Sequence, residues 1–216
     1  MTGSAGASDQ RTLTLQQYVA DVLALETHIE EALDGQLRLA ELQDHPASLA
    51  ALQRFHDLVK QRRETVRTHL NHLGGPPGGG LMGVGQAMVK NAVTTAAGMA
   101  AGAINTVRTQ AVSKALRDDY TAFNHATVSY AMLLTTAQLL HERQTLDLAT
   151  QHLQAYESAL EEIAGVMPEV VAWELRKDGL LLEDNDVGAA AQLLGRTWRT
   201  GGHEERDSSA SEPQRR

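Results

Sequence analysis

Cysteine is absent from this 216-residue chain. Disulfides, thiolate metal sites and cysteine nucleophiles are therefore excluded. Aromatic residues are scarce, with two Phe, two Trp and four Tyr making up 4% of the chain. The core must be built mainly from Leu, Val, Ala and Met. No stretch shows the apolar–polar alternation of a half-buried strand. Basic residues are outnumbered, 19 Lys and Arg against 27 Asp and Glu, for a formal charge of -8. No nucleic-acid partner is expected, because binding phosphates wants a basic face. The opening "MTGSAGASDQRT" has neither a basic region nor an apolar run. No signal peptide is expected from it, and a cytoplasmic location follows as the expectation. No serine nucleophile elbow and no Ser-His-Asp arrangement occurs. The glycines of "GVGQAM" (83–88) follow no strand, so a nucleotide-binding loop is not expected there. No catalytic residue is assigned.

What the sequence does have is helical periodicity. After residues 1–12, read as disordered, Leu15, Tyr18, Val22, Leu25, Ile29 and Ala32 recur at spacings of three and four. This seam continues to about residue 42, with Glu26 on its edge. "DHPAS" predicts a turn, with Asp44 as N-cap and Pro46 in the first helical turn. Leu49, Leu52, His56, Val59, Arg63, Val66, Leu70 and Leu73 form a second stripe, ended by "GGPPGGG" at 74–80. A third helix is predicted from about Arg108 to His141, with Leu116, Tyr120, Phe123, Thr127, Tyr130, Leu134 and Ala137 inward. A fourth runs from Gln144 to Met167, with Leu146, Ala149, Leu153, Tyr156, Leu160 and Ile163 inward. Pro168 is expected to open a short fifth helix, closed by Gly179. Residues 183–216 read as a polar, largely disordered tail with room for a short helix near Val187–Leu194.

The stretch 81–107 is Ala-, Gly- and Met-rich with one charged residue, Lys90. Its length would span a bilayer, but a central lysine and several polar residues argue against insertion. A packed connecting helix is expected instead. Peripheral membrane contact through 81–107 is the subordinate alternative. The expected architecture is all-α: a four-helix bundle over 13–182, with one long crossover that carries the Ala/Gly-rich helix, and a short C-terminal helix. The apolar connecting helix offers a surface for a homodimer.

"YVADVLALETHIEEAL", "HLNHLGG" and "LRDDYTAFNHATVSYAMLLTTA" resemble the YciE/YciF-type bacterial ferritin-like proteins over residues 14–182. The resemblance implies a cytoplasmic, often dimeric bundle associated with stress. Related ferritin-like proteins carry a carboxylate-bridged di-iron site, with a Glu on each of two helices and Glu-x-x-His on each of the other two. Here Glu26 alone stands in register. The second helix has no Glu-x-x-His, the third has no Glu between Arg108 and Leu140, and the fourth again lacks the motif. An intact di-iron site is therefore not expected.

Three uses remain for Glu26. It could join His56, Asp119 and His152 in a reduced carboxylate/histidine site for iron or manganese. It could be an edge charge. The preferred expectation is an interior ion pair with Arg63 or Arg62, because buried polar groups most often satisfy one another. With His45 at the centre of the turn, Glu26 lies 19 residues before it and Arg63 lies 18 after it, at similar height. "HLNH" puts His69 and His72 at ligand-like spacing, but His72 is read as solvated. Tyr120 and Tyr130 are read as core aromatics. The expected function is a bundle with a stress-related or scaffolding role and no cofactor. The alternative is iron or manganese handling, or oxidase activity, at the reduced site.

Overall fold

In the computed structural model, residues 3–76 and 111–200 are described. They contain six helices: α1 (Gly3–Gln36), α2 (Ala40–Gln43), α3 (Pro46–His72), α4 (Ala111–Leu139), α5 (Arg143–Lys177) and α6 (Asp184–Thr200). There is no strand among the described residues. The four long helices α1, α3, α4 and α5 each bury a seam of strict four-three spacing. On α1 it is Leu15, Val19, Val22, Glu26, Ile29 and Leu33, and on α3 it includes Leu52, Phe55, Val59, Val66 and His69. On α4 it is Val112, Leu116, Asp119, Phe123, Ala126, Tyr130, Leu133 and Ala137. On α5 it is Thr145, Ala149, His152, Tyr156, Ala159 and Ile163. This spacing keeps one narrow face of each helix turned to a common axis, which is the requirement of a four-helix bundle.

Cross-helix contacts fix the directions. Gln16 Nε2 donates to Leu73 O at 2.6 Å, and Arg63 pairs with Glu30, so α1 and α3 are antiparallel. Gln36 meets Asp119, and Glu26 meets Tyr130, so α1 and α4 are antiparallel as well. His69 contacts Thr145, and Arg54 contacts Glu162, which sets α3 antiparallel to α5. Neighbouring helices therefore alternate in direction, and the diagonal pairs α1/α5 and α3/α4 run parallel. Helix α3 ends at one end of the bundle and α4 begins at the other. A crossover connection, rather than a tight turn, follows from that geometry. The expected Ala/Gly-rich helix at 81–107 lies outside the described residues.

Helix ends follow local chemistry. Pro46 takes the first turn of α3, where its missing N–H is not needed. The cap is His45, whose Nδ1 accepts from Ser48 N at 3.1 Å. The expected cap, Asp44, instead holds Lys177 at 3.0 Å. After α3, Gly74 and Gly75 adopt φ of 99° and 84°, a left-handed exit that favours glycine. Gly179, at φ 86°, plays the same part after α5.

Three expectations about extent are corrected. Helix α1 begins at Gly3 and takes in most of 1–12, because extending an existing helix adds one hydrogen bond per residue ordered. Helix α5 runs through Pro168 without a new start. A proline inside a helix costs about 3 kcal/mol, and buried Ile163, Val170 and Ala172 on either side hold the helix in place. Helix α6 covers 184–200, longer than the segment expected within a disordered tail, and it packs on α5 with Val187 buried.

Candidate functional site

The few aromatic residues are not spread evenly. Both Phe and two of the four Tyr meet in the core. Phe55 and Phe123 pack edge-to-face with ring centres 5.5 Å apart, and Phe123 meets Tyr156 at 5.2 Å. Tyr156 stacks on Tyr130 at 5.9 Å, and Tyr130 meets the His152 ring at 5.0 Å. This group surrounds Glu26.

Glu26 is 1% exposed. Its position in the four-three seam of α1 aims it at the bundle axis. Tyr130 Oη, from α4, donates to Oε1 at 2.5 Å. Tyr156 Oη, from α5, donates to Oε2. His152 Nδ1 lies 2.8 Å from Tyr130 Oη. The single phenolic hydrogen of Tyr130 is already committed to Glu26, so Nδ1 carries the proton in that contact and donates. The result is a directed chain, His152 N–H to Tyr130 O–H to Glu26, with Tyr156 serving the other oxygen.

The electrostatics agree with a dry site. Burial pushes the Glu26 carboxyl up to about 7, against the pull of both phenols and of Arg62. Burial, reinforced by the positive charge of Arg62, lowers His152 to about 3. His152 is therefore neutral, and its 4.0 Å approach to Glu26 Oε1 is not an ion pair. Tyr130 and Tyr156 are both held well above their ordinary value, first by burial and then by Glu26. Arg62 occupies the seam step between Val59 and Val66 on α3. Its Nε is buried with no hydrogen-bond partner.

The expected Glu26–Arg63 pair is corrected. Arg63 binds Glu30 at 2.8 Å, at the α1/α3 edge. Its partner Glu30 is one turn along α1 from Glu26, and Arg63 is about 100° around the helix from Arg62, so it points away from the axis. The reduced site of Glu26, His56, Asp119 and His152 is not assembled either. Glu26 and His152 adjoin. His56 sits against Asp34 at 3.1 Å on the α1/α3 side. Asp119 Oδ1 accepts from Gln36 Nε2 at 2.8 Å, at the same end of the bundle as His56 but on the α1/α4 side. Among the described residues no group of three or more His, Asp or Glu side chains could hold a metal ion. A carboxylate-bridged di-iron centre does not fit, because among the described residues no second carboxylate contacts Glu26, whose neighbours are two phenols and one imidazole.

Other buried polar groups were not anticipated. Burial raises Asp119 to about 7, while its bond to Gln36 opposes the shift. Asp119 Oδ2 and Gln36 Oε1 are both buried without partners, so a proton on the carboxyl would supply a donor where two acceptors have none. Glu174 Oε1, from α5, accepts from Val112 N at 2.9 Å and Ser113 N at 3.1 Å, which caps the start of α4. His69, one of the two histidines of "HLNH", is buried against Thr145 Oγ1 at 2.8 Å. The signal for Glu26 and Arg62 was present in the sequence as the stricter spacing 15-19-22-26-29-33 and 59-62-66.

No protein-family model matches the chain, and no curated protein matches it. A solved structure of a protein from Xanthomonas campestris pv. campestris is similar in fold, with a TM-score of 0.59 and 17% identity. The match covers 79% of this chain and 99% of that one. At this identity the likeness shows the fold alone, an all-α helical bundle.

Proposed function

We propose that the chain is a ferritin-like bundle protein in which a hydrogen-bonded polar layer stands where a di-iron site would be, and that its role is scaffolding or stress-related rather than oxidative. The observation that carries this reading is the pair of phenols, Tyr130 and Tyr156, donating to both oxygens of Glu26. A bridging carboxylate needs those oxygens for metal. The stress-related part rests on the sequence resemblance, as does a cytoplasmic location. No helix of the described residues is long and apolar enough to cross a membrane. A homodimer belongs to the same reading. Val128, Met132 and Leu139 are 59%, 52% and 72% exposed on one face of α4, which gives an apolar patch for self-association.

Metal analysis of protein purified from iron- and manganese-supplied cells tests the reading. About two metal ions per chain, the di-metal stoichiometry, overturns it. Light scattering across a dilution series tests the dimer, and a mass that stays at one chain at every concentration overturns that part.

A further inference from the structure

Three helices bring four side chains of three kinds, a carboxylate, two phenols and an imidazole, together in the core. Tyr130 Oη is 2.5 Å from Glu26 Oε1 and 2.8 Å from His152 Nδ1, while Nδ1 and Oε1 stand 4.0 Å apart. Tyr156 Oη adjoins Glu26 Oε2. Donors bound to one small octahedral cation at about 2 Å stand about 2.8 Å from their neighbours and about 4 Å from the donor opposite. Tyr130 Oη, Glu26 Oε1 and His152 Nδ1 have that spread before any ion enters, and Tyr156 Oη adjoins the second oxygen of the same carboxylate.

We propose that this cluster is a mononuclear site for a hard trivalent cation of the ferric class, ligated by Glu26, Tyr130, Tyr156 and His152. The donor set is rich in oxygen, as a hard ion prefers, with one imidazole. One carboxylate and two phenolates balance the three charges of the ion, and a small anion completing the coordination sphere would offset the Arg62 guanidinium, in a core where net charge is costly. Binding releases both phenolic protons, and any proton held by Glu26. The His152 proton moves from Nδ1 to Nε2, freeing the Nδ1 lone pair. Phenols this deeply buried resist ionisation, so only an ion of high charge density displaces both protons. Arg62 favours the phenolate forms through its charge. Its unpartnered Nε can donate to a water or small anion completing the coordination sphere. The site differs in kind from a di-iron centre, since it uses phenolates and holds one ion. It also goes beyond the scaffolding reading, which stands whether or not this site binds.

The test uses the full chain, freed of metal by a chelator and titrated to equilibrium with ferric nitrilotriacetate. The expected result is saturation at one ion per chain, with a visible phenolate-to-iron charge-transfer band. Resonance Raman spectra of the unaltered protein should show tyrosinate modes, a readout that depends on no variant. Tyr130→Phe and Tyr156→Phe should each diminish the band and weaken binding by at least about tenfold, the scale seen when a metal site loses a supporting group. Tyr18→Phe and Tyr120→Phe should leave both unchanged. Circular dichroism checks that each variant is folded. Absence of tyrosinate modes at saturating ferric ion overturns the proposal, as does a band that survives in the folded Tyr130→Phe/Tyr156→Phe variant. Binding of no ion overturns it and leaves the bundle reading intact, whereas binding of two overturns both.

Discussion

Glu26 and Glu30 lie one turn apart on the same helix and meet opposite solutions. Glu26, 1% exposed, is held by two neutral phenols. Glu30, 8% exposed, is held by a guanidinium that keeps partial contact with water. The difference follows from desolvation. At the bundle edge Arg63 stays partly hydrated while it pairs, so little is lost. On the axis a full ion pair would strip water from two charges, and the attraction between them seldom exceeds that cost. Phenols supply hydrogen bonds without a second charge to bury. They also bring large apolar rings, which a core poor in aromatics can use.

The largest expected effect breaks the axial half of this comparison. In metal-free protein, Glu26→Ala leaves a cavity and two buried phenols without an acceptor, and should cost about 3–5 kcal/mol. Glu26→Leu combined with Tyr130→Phe and Tyr156→Phe removes both orphaned phenols, leaving only His152 Nδ1 without its partner, and should recover part of that. Chemical denaturation of the single and triple variants measures both. Equal stabilities would mean that the phenol–carboxylate contacts do not matter.

Asp119 sharpens the comparison through pH. Its folded carboxyl titrates near 7, above the ordinary 3.8, because of burial. The folded chain then holds a proton that the unfolded chain has lost. The associated stability is present in full below about pH 4 and is lost as pH rises through 7. At about 1.4 kcal/mol per pH unit, that amounts to at most about 4 kcal/mol. Glu26 adds a slope of the same sign. Asp119→Asn keeps a side-chain oxygen for Gln36 and should flatten the dependence between pH 4 and 7. An unchanged pH slope in this variant would remove Asp119 from the account.

Smaller effects are expected away from the axis. Glu174→Ala strips the cap from Val112 and Ser113 and should cost about 1–2 kcal/mol in thermal unfolding. Arg63→Met should change stability by less than about 1 kcal/mol, since the lost pair is partly hydrated. A loss as large as that of Glu26→Ala would erase the distinction between edge and axis.

The helices and several of their ends were legible because they rest on local chemistry: Pro46 at a start, Gly74 and Gly179 at exits, three-four spacing between. The choice of seam was not. An apolar stripe about 100° wide admits both Tyr18 and Val19, and both Leu25 and Glu26. Taking Tyr18 and Leu25 as the stripe shifts its centre away from Val19 and Glu26, which lie on the axis. Counting outward from His45 places Arg63 opposite Glu26, whereas it meets Glu30 one turn further along, and height carries no information about direction around the helix. The partners that matter, Tyr130 and Tyr156, lie beyond the crossover. Their contact with Glu26 spans 104 and 130 residues, which no hairpin symmetry reveals. The charge on Glu26 suggested a cation as its partner, and burial favoured a phenol.

The cap on α4 has a consequence for how the chain is put together. Its acceptor, Glu174, comes from the far end of α5, 62 residues after Val112. The first turn of α4 is thus met by the helix that follows it. Closing the α4–α5 hairpin finishes α4 at its beginning. The second half of the bundle therefore carries the acceptor for its own first turn.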